Sequence, residues 1–359
     1  MATLARILVL NVYDLARAGE AVVAGAMPDQ GLYGINHFER RGHTVAIVPF
    51  QVSERLKRAS AVLRRTPVPL GDLDQQLGAM RELHGADLIY CPSQMVAQLL
   101  AYLRAVGALR RPLVWIVHHP LDRGRLRRQR TPLMGALLRG VDAYPALTGY
   151  VADELASVGG SAKRTGGLKW GPDPDWYPRG SPLGRGVVAA GWSSRDFDTF
   201  ARAAAQTDVP AWIVCRKVHE PRVRLGAHTR LLHGLEYREL AALYAQARAI
   251  AIPLNVQWPW NLHGLTSLTD AMGMGMPVIV TRNPWIDVDV EALGIGVWVA
   301  PGDVAGWRSA IRYLDQNPDV AAEMGRRARA LVDSGEYSSH AFAERVMDIF
   351  DRILVSPAR

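Results

Sequence analysis

Short runs rich in β-branched residues alternate with longer amphipathic stretches along the whole chain, and this alternation restricts its fold more than any other feature. In the first half the runs are Arg6–Asn11, Thr44–Phe50, Asp87–Cys91, Leu113–His118 and Val141–Leu147. In the second they are Gly186–Gly191, Ala211–Cys215, Thr229–His233, Ala249–Pro253, Pro277–Thr281 and Gly296–Ala300. Each is nearly continuous in apolar residues, as a strand covered on both faces requires. Helical stretches such as Tyr237–Gln246, Gly264–Gly275 and Asp303–Leu314 lie between them. Strands that alternate with helices build parallel sheets. The pattern predicts an α/β chain with two doubly wound, Rossmann-like domains.

Residues Trp170–Gly186 separate the two halves. They hold prolines at 172, 174, 178 and 182 and glycines at 171, 180, 184 and 186, a density that stops any regular element. The expected organisation is an N-terminal domain over 1–169, a linker over 170–186 and a C-terminal domain over 187–338. Residues 339–359 carry Phe342, Val346, Ile349, Phe350 and Ile353 as one apolar stripe, predicting a last helix that crosses back to the first domain. Domains of this kind, facing a central cleft, bind ligands at the carboxyl ends of their strands.

The segment with most chemical content is 261–281, which reads as loop, helix, tight turn and buried strand. Gly264 opens the helix, leaving the backbone N–H groups of Leu265, Thr266 and Ser267 unpaired. Such a helix start favours a diphosphate through its partial positive charge and its open donors. Asp270, six residues beyond Gly264, is placed to accept hydrogen bonds from a ribose. The competing reading makes Thr266 and Ser267 simple caps and Asp270 a solvated acid. Arg216 and Lys217 follow a predicted strand and project from its carboxyl end as candidate phosphate cations; Lys217 is one of only four lysines.

These segments resemble retaining glycosyltransferases of the GT-B fold, particularly family 4 (the group 1 glycosyltransferases). Asp270-Ala-Met272 followed by Gly275-Met-Pro-Val278 resembles the donor-site signature, with Asp270 in place of the second glutamate of the family pair. The first glutamate falls on Leu262, so His263 and Asn261 are the polar neighbours left to orient a donor sugar. The order of further motifs agrees: Arg40–Val45, Trp170–Pro178, Gly191–Asp196, Leu232–Leu240 and Pro301–Asp303. The resemblance implies a phosphate-binding role for Arg195 and places Arg216 and Lys217 near the nucleotide. It places His118, at the end of Leu113–His118, beside the donor sugar as the catalytic-site histidine. Gly31 and Gly34 are the candidates for the family's N-terminal glycine loop. Trp258 and Trp260 precede the donor helix as candidate stacking residues.

The resemblance therefore implies transfer of a sugar from a nucleoside-diphosphate sugar, UDP before GDP, to an acceptor hydroxyl, with retention and without a metal. The nucleotide sugar is a co-substrate and no resident cofactor is expected. The acceptor is a glycolipid, a polysaccharide or a natural product. Asp173-Pro-Asp175 and Asp287-Val-Asp289 imitate a metal-binding Asp-x-Asp, but neither ends a strand. A sugar-nucleotide 2-epimerase shares this fold and donor site and is the enzyme alternative. A nicotinamide enzyme is excluded, because Val12–Gly19 after the first strand lacks Gly-x-Gly-x-x-Gly.

Composition narrows the setting. The chain has 359 residues, 49% hydrophobic and 21% charged, which excludes a disordered chain. Cys91 and Cys215 are far apart and have no metal-ligand spacing, which suits a reducing, cytoplasmic environment. The run Ile7–Leu10 is too short for a secretory signal. Residues 1–178 hold 22 Lys and Arg against 15 Asp and Glu, whereas the remainder holds 20 against 19. A basic nucleic-acid-binding protein is the remaining alternative, but no aromatic-interleaved basic strand or recognition helix is present. Arg55, Lys57, Arg58, Arg64 and Arg65 surround a stripe of Val52, Leu56, Ala59 and Leu63, and Asp122–Arg130 adds five arginines. This pattern suits peripheral contact with an anionic membrane.

Overall fold

The computed structural model describes residues 4–121, 126–161, 165, 167–178, 184–257 and 263–355. Trp258, Trp260, Asn261, Leu262, Arg123 and Arg125 lie outside the described residues, as does the side chain of Arg127. The chain divides into two compact units. One comprises 1–24, 29–169 and 339–359; the other comprises 25–28 and 170–338.

The first unit is built on a parallel sheet of β1 (Arg6–Val9), β2 (Thr44–Ile47), β3 (Leu88–Cys91) and β4 (Leu113–Trp115), in the order β2-β1-β3-β4. The register pairs Ile7 with Val45 and Leu88, and Tyr90 with Val114. The strands stop earlier than their apolar runs because side chains take over the backbone pairing. Asn11 N–H donates to Gln75 Oε1 at 3.0 Å, and His118 N–H to Gln94 Oε1 at 3.2 Å. The predicted strand Val141–Leu147 is reduced to isolated parallel bridges, Val114 with Ala143 and Val117 with Ala146. Pro145, lying between them, has no N–H to donate.

The helix Ser339–Val355 packs within this first unit. Phe342, Val346 and Phe350 are fully buried, each contributing roughly 1.5–3 kcal/mol. Phe350 meets Phe38 at 5.1 Å and Tyr90 at 5.3 Å, both edge to face. Arg41 bridges to Glu344, to Asp348 at 2.8 Å and to Asp351 at 3.2 Å on the same helix. Gly34 sits at φ +85°, and a Cβ there would lie 3.0 Å from the backbone of Ala343. Only glycine allows the helix this close.

The second unit contains β5 (Val187–Ala190), β6 (Ala211–Val214), β7 (Thr229–Leu232), β8 (Ala249–Ile252), β9 (Val278–Thr281) and β10 (Gly296–Val299). They form one parallel sheet ordered β10-β9-β8-β5-β6-β7. The order reverses between β5 and β8, which makes that junction the switch point of a doubly wound sheet. Phe200, Ala201, Trp307, Ile311 and Leu314 cover one face of the strands. The proline-rich segment is part of this unit's structure. Gly171, Pro172 and Asp173 are buried, and Asp173 Oδ1 accepts from the N–H groups of Asp175 and Trp176 at 2.9 and 3.1 Å. Trp176 Nε1 and Arg238 Nε both donate to the carbonyl of Gly25, at 3.0 and 2.6 Å.

Candidate functional site

The carboxyl ends of β5 and β8 bring Arg195 against the start of the helix Leu265–Met274. An isolated bridge between Arg195 and Leu254 ties together the two loops leaving these strands. Asn255 N–H donates to Ser194 O at 2.8 Å, and Asp196 N–H to Pro253 O at 3.1 Å. Arg195 Nε donates to Ala190 O at 3.1 Å, Nη1 to Ser193 O at 3.3 Å and Nη2 to Ser267 Oγ at 2.9 Å. Burial lowers this guanidinium to about 10, which leaves it charged at neutral pH. A fixed cation thus lies beside a helix start.

Gly264 shapes that start. Its φ is +104°, and a Cβ there would press on Leu254, Ile252 and Ile286 at 3.2 to 3.4 Å. Gly264, at the N-cap, has no side chain to cap the helix, and among the described residues neither Thr266 nor Ser267 serves as its cap. Ser267 is buried and accepts from Arg195, whereas Thr266 is exposed. Leu265 is half-buried at the first helical position. His263 places its carbonyl on Trp285 Nε1 at 3.0 Å.

Asp270 is not solvated. It is 3% exposed, and Oδ1 accepts from Tyr177 OH at 2.6 Å and from Tyr237 OH. Burial pushes this carboxyl up to about 6, against the lowering by the two phenols and Arg195. The same burial raises both phenols. Sequence reasoning missed the two tyrosines, which lie 93 and 33 residues from Asp270. Arg329 completes the anchorage, donating to Gly273 O at 2.8 Å and Pro174 O at 2.7 Å.

Arg216 lies with its guanidinium 4.1 Å from the ring centroid of Trp192, and Lys217 starts a short 3-10 turn, exposed. His233 anchors this loop through Nδ1 to Cys215 O at 2.7 Å and Nε2 to Glu220 at 3.1 Å. Arg195, Arg216, Lys217 and residues 263–270 therefore all belong to the second unit.

His118, Gly31 and Gly34 belong to the first unit. His118 Nε2 donates to Pro92 O at 2.6 Å, since a carbonyl can only accept. Tyr33 packs edge-on against the ring at 5.1 Å, and the buried Gln94 bonds His118 N–H and His119 O. Gly31 O accepts from Tyr13 OH, while Gly34 is committed to packing on the last helix.

The basic segment forms the helix Glu54–Leu63. Leu56, Ala59 and Leu63 are half-buried, whereas Val52, the fourth stripe residue, lies before the helix and is exposed. Its outer side carries Arg55, Arg58 and Val62, flanked by Val52, Arg64, Arg65 and Val68. Lys57 pairs with Glu54 at 3.2 Å. Among the described residues no helix is long and apolar enough to cross a membrane. The two Asp-x-Asp pairs have structural uses: Asp173 holds a turn, and Asp289 Oδ1 accepts from Trp298 Nε1 at 3.0 Å.

The chain matches the profile of glycosyltransferase family 4 over residues 35–165 and that of glycosyl transferases group 1 over 221–331. Its structure is similar to that of Anabaena HepE in complex with UDP, with a TM-score of 0.67 at 17% identity over 97% of this chain and 100% of that one. A glycosyltransferase from Rickettsia africae gives 0.69 at 13% identity, covering 98% of both chains. Sucrose-phosphate synthase from Thermosynechococcus elongatus gives 0.69 at 15%, covering 97% and 98%. At these identities the likeness establishes a shared fold. No curated relative matches the sequence. Two parallel-sheet domains and two matching profiles lead to one assignment: the chain belongs to the group 1 glycosyltransferases of the GT-B fold.

Proposed function

We propose that this glycosyltransferase takes its sugar from a nucleoside-diphosphate sugar, UDP-linked, and delivers it to an acceptor hydroxyl with retention of configuration. The observation that carries the reading is Arg195, held by Ala190 O and Ser267 Oγ beside the uncapped helix start at the β5/β8 switch point. Backbone donors and a guanidinium aimed at one place stabilise the charge that builds on a departing diphosphate, and they do so without reorganisation. Arg216 and Lys217 add positive charge at the neighbouring strand end. The related HepE has been crystallised with UDP and with UDP-glucose, which supports a uridine donor here.

In this reading the acceptor hydroxyl attacks on the face that the diphosphate leaves, and its proton passes to the departing phosphate oxygen. His118 is the first unit's candidate for recognising the donor sugar. Asp270 positions the donor helix through its two phenols. Charge neutralisation rests on protein cations, so turnover survives chelation of divalent metal. The acceptor is a glycolipid, a polysaccharide or a natural product, and the face carrying Arg55, Arg58, Arg64 and Arg65 holds the enzyme at an anionic membrane.

A thermal-shift panel of nucleoside diphosphates and their sugars tests the donor assignment. UDP and UDP-sugars raise the melting temperature in the expected outcome, and a panel in which nothing stabilises the protein contradicts it. Turnover of the sugar nucleotide with no acceptor present would favour the epimerase. Transfer to an acceptor with an anomeric signal unlike the donor's would overturn retention.

A further inference from the structure

Trp192 is 56% exposed in a loop that is otherwise pinned. Trp115, Trp285 and Trp307 are by contrast fully buried. Gly191 N–H donates to Val214 O at 3.1 Å, Ser194 O accepts from Asn255 at 2.8 Å, and Arg195 bridges to Leu254. The indole is therefore presented to solvent by a fixed backbone. Its partner is set by sheet register. β5 and β6 pair Ala190 with Val214, so Trp192 and Arg216 each stand two residues beyond a matched pair on adjacent parallel strands. The guanidinium lies over the indole at 4.1 Å from its centroid, and the tryptophan as a whole nevertheless stays 56% exposed. His233 anchors the loop in which Arg216 stands, through Cys215 O and Glu220.

We infer that Trp192, backed by Arg216, is the platform on which the donor's nucleobase stacks; this rests on the diphosphate reading of the Arg195 site. An aromatic face recognises a planar heteroaromatic ring, and a guanidinium on its far side strengthens the stack. The position also fits. Arg195 and the helix start lie on the β8 side of β5, whereas the Trp192–Arg216 pair lies on the β6 side. Neighbouring strands are about 4.8 Å apart, so one to two strand spacings separate phosphate from base, the gap that a ribose fills. The sugar end of the donor extends from the opposite end of the diphosphate and does not compete for this face.

The test is calorimetric titration of the full chain with UDP, GDP and inorganic pyrophosphate. Trp192→Ala weakens the tighter nucleotide by roughly ten- to a hundredfold and leaves pyrophosphate unchanged, while Trp192→Phe retains most of the affinity. Unchanged nucleotide affinity in Trp192→Ala overturns the inference. So does an equal loss for nucleotide and pyrophosphate, because the residue would then act only through loop structure. Failure of the underlying reading looks different: the wild-type chain would bind neither nucleotide nor pyrophosphate, or Arg195→Gln would bind both undiminished.

Discussion

Both units end their parallel strands in loops, yet those loop edges carry different chemistry. The second unit's edge concentrates charge: Arg195 at an uncapped helix start, with Arg216 and Lys217 one strand further on. Among the described residues, the first unit's edge presents Asn11, Tyr13, Gln94 and His118, held by hydrogen bonds rather than ion pairs. This unit holds most of the chain's basic excess, and among its described residues Arg55, Arg58, Arg64 and Arg65 carry charge on an exposed face. Net charge is therefore a poor guide to where fixed cations sit. What counts is whether a cation is fixed by its neighbours, as Arg195 is and the surface arginines are not.

The sharpest break of this comparison is Arg195→Gln. Loss of a preorganised donor costs about 10²–10³ in turnover, measured by steady-state transfer with the fold checked by circular dichroism. Removing charge from the other unit has a different signature. Replacing Arg55, Arg58, Arg64 and Arg65 by Gln lowers sedimentation with anionic vesicles at low salt by more than tenfold, and leaves UDP affinity as it was. Loss of UDP affinity in that variant would erase the distinction between the two regions. His118→Asn, on the first unit's edge, lowers turnover about tenfold, the worth of one well-placed hydrogen bond, and leaves the UDP-induced thermal shift intact. A lost thermal shift would show that His118 acts on the fold or the nucleotide instead.

The smallest effect concerns Asp270. Its carboxyl is pushed by burial up to about 6, above the unfolded value of about 3.9. Between these values the folded chain keeps a proton that the unfolded chain has released, so the group's contribution to stability falls as pH rises through that window. Asp270→Asn has nothing to titrate, and its melting temperature relative to wild type climbs between pH 4 and pH 7. A difference that stays constant with pH would remove the buried acid from the account.

Much of this was legible in the sequence, for reasons that can be named. Buried parallel strands such as Ala249–Ile252 and Val278–Thr281 must be apolar throughout, so their runs stand out. Strand ends are harder to read: in the first unit Gln75 and Gln94, from distant parts of the chain, bond Asn11 and His118 just beyond β1 and β4. Gly264 announces the helix start because no other residue fits both its φ and its tight surroundings. Register and long-range packing leave no local trace. Nothing near Asp270 announces Tyr177 and Tyr237, and nothing near Trp192 announces Arg216. Gly34 looked like part of a ligand loop, yet it is spent on the approach of Ala343 from the far end of the chain.

The central claim is that Arg195 and the start of helix Leu265–Met274 grip a diphosphate. Titrating UDP into the wild-type chain and into Arg195→Gln, at low and at raised salt, tests it most directly. The account predicts salt-sensitive binding by the wild type and at least a tenfold loss in the variant, about 1.4 kcal/mol. Equal affinity in the two proteins would contradict it.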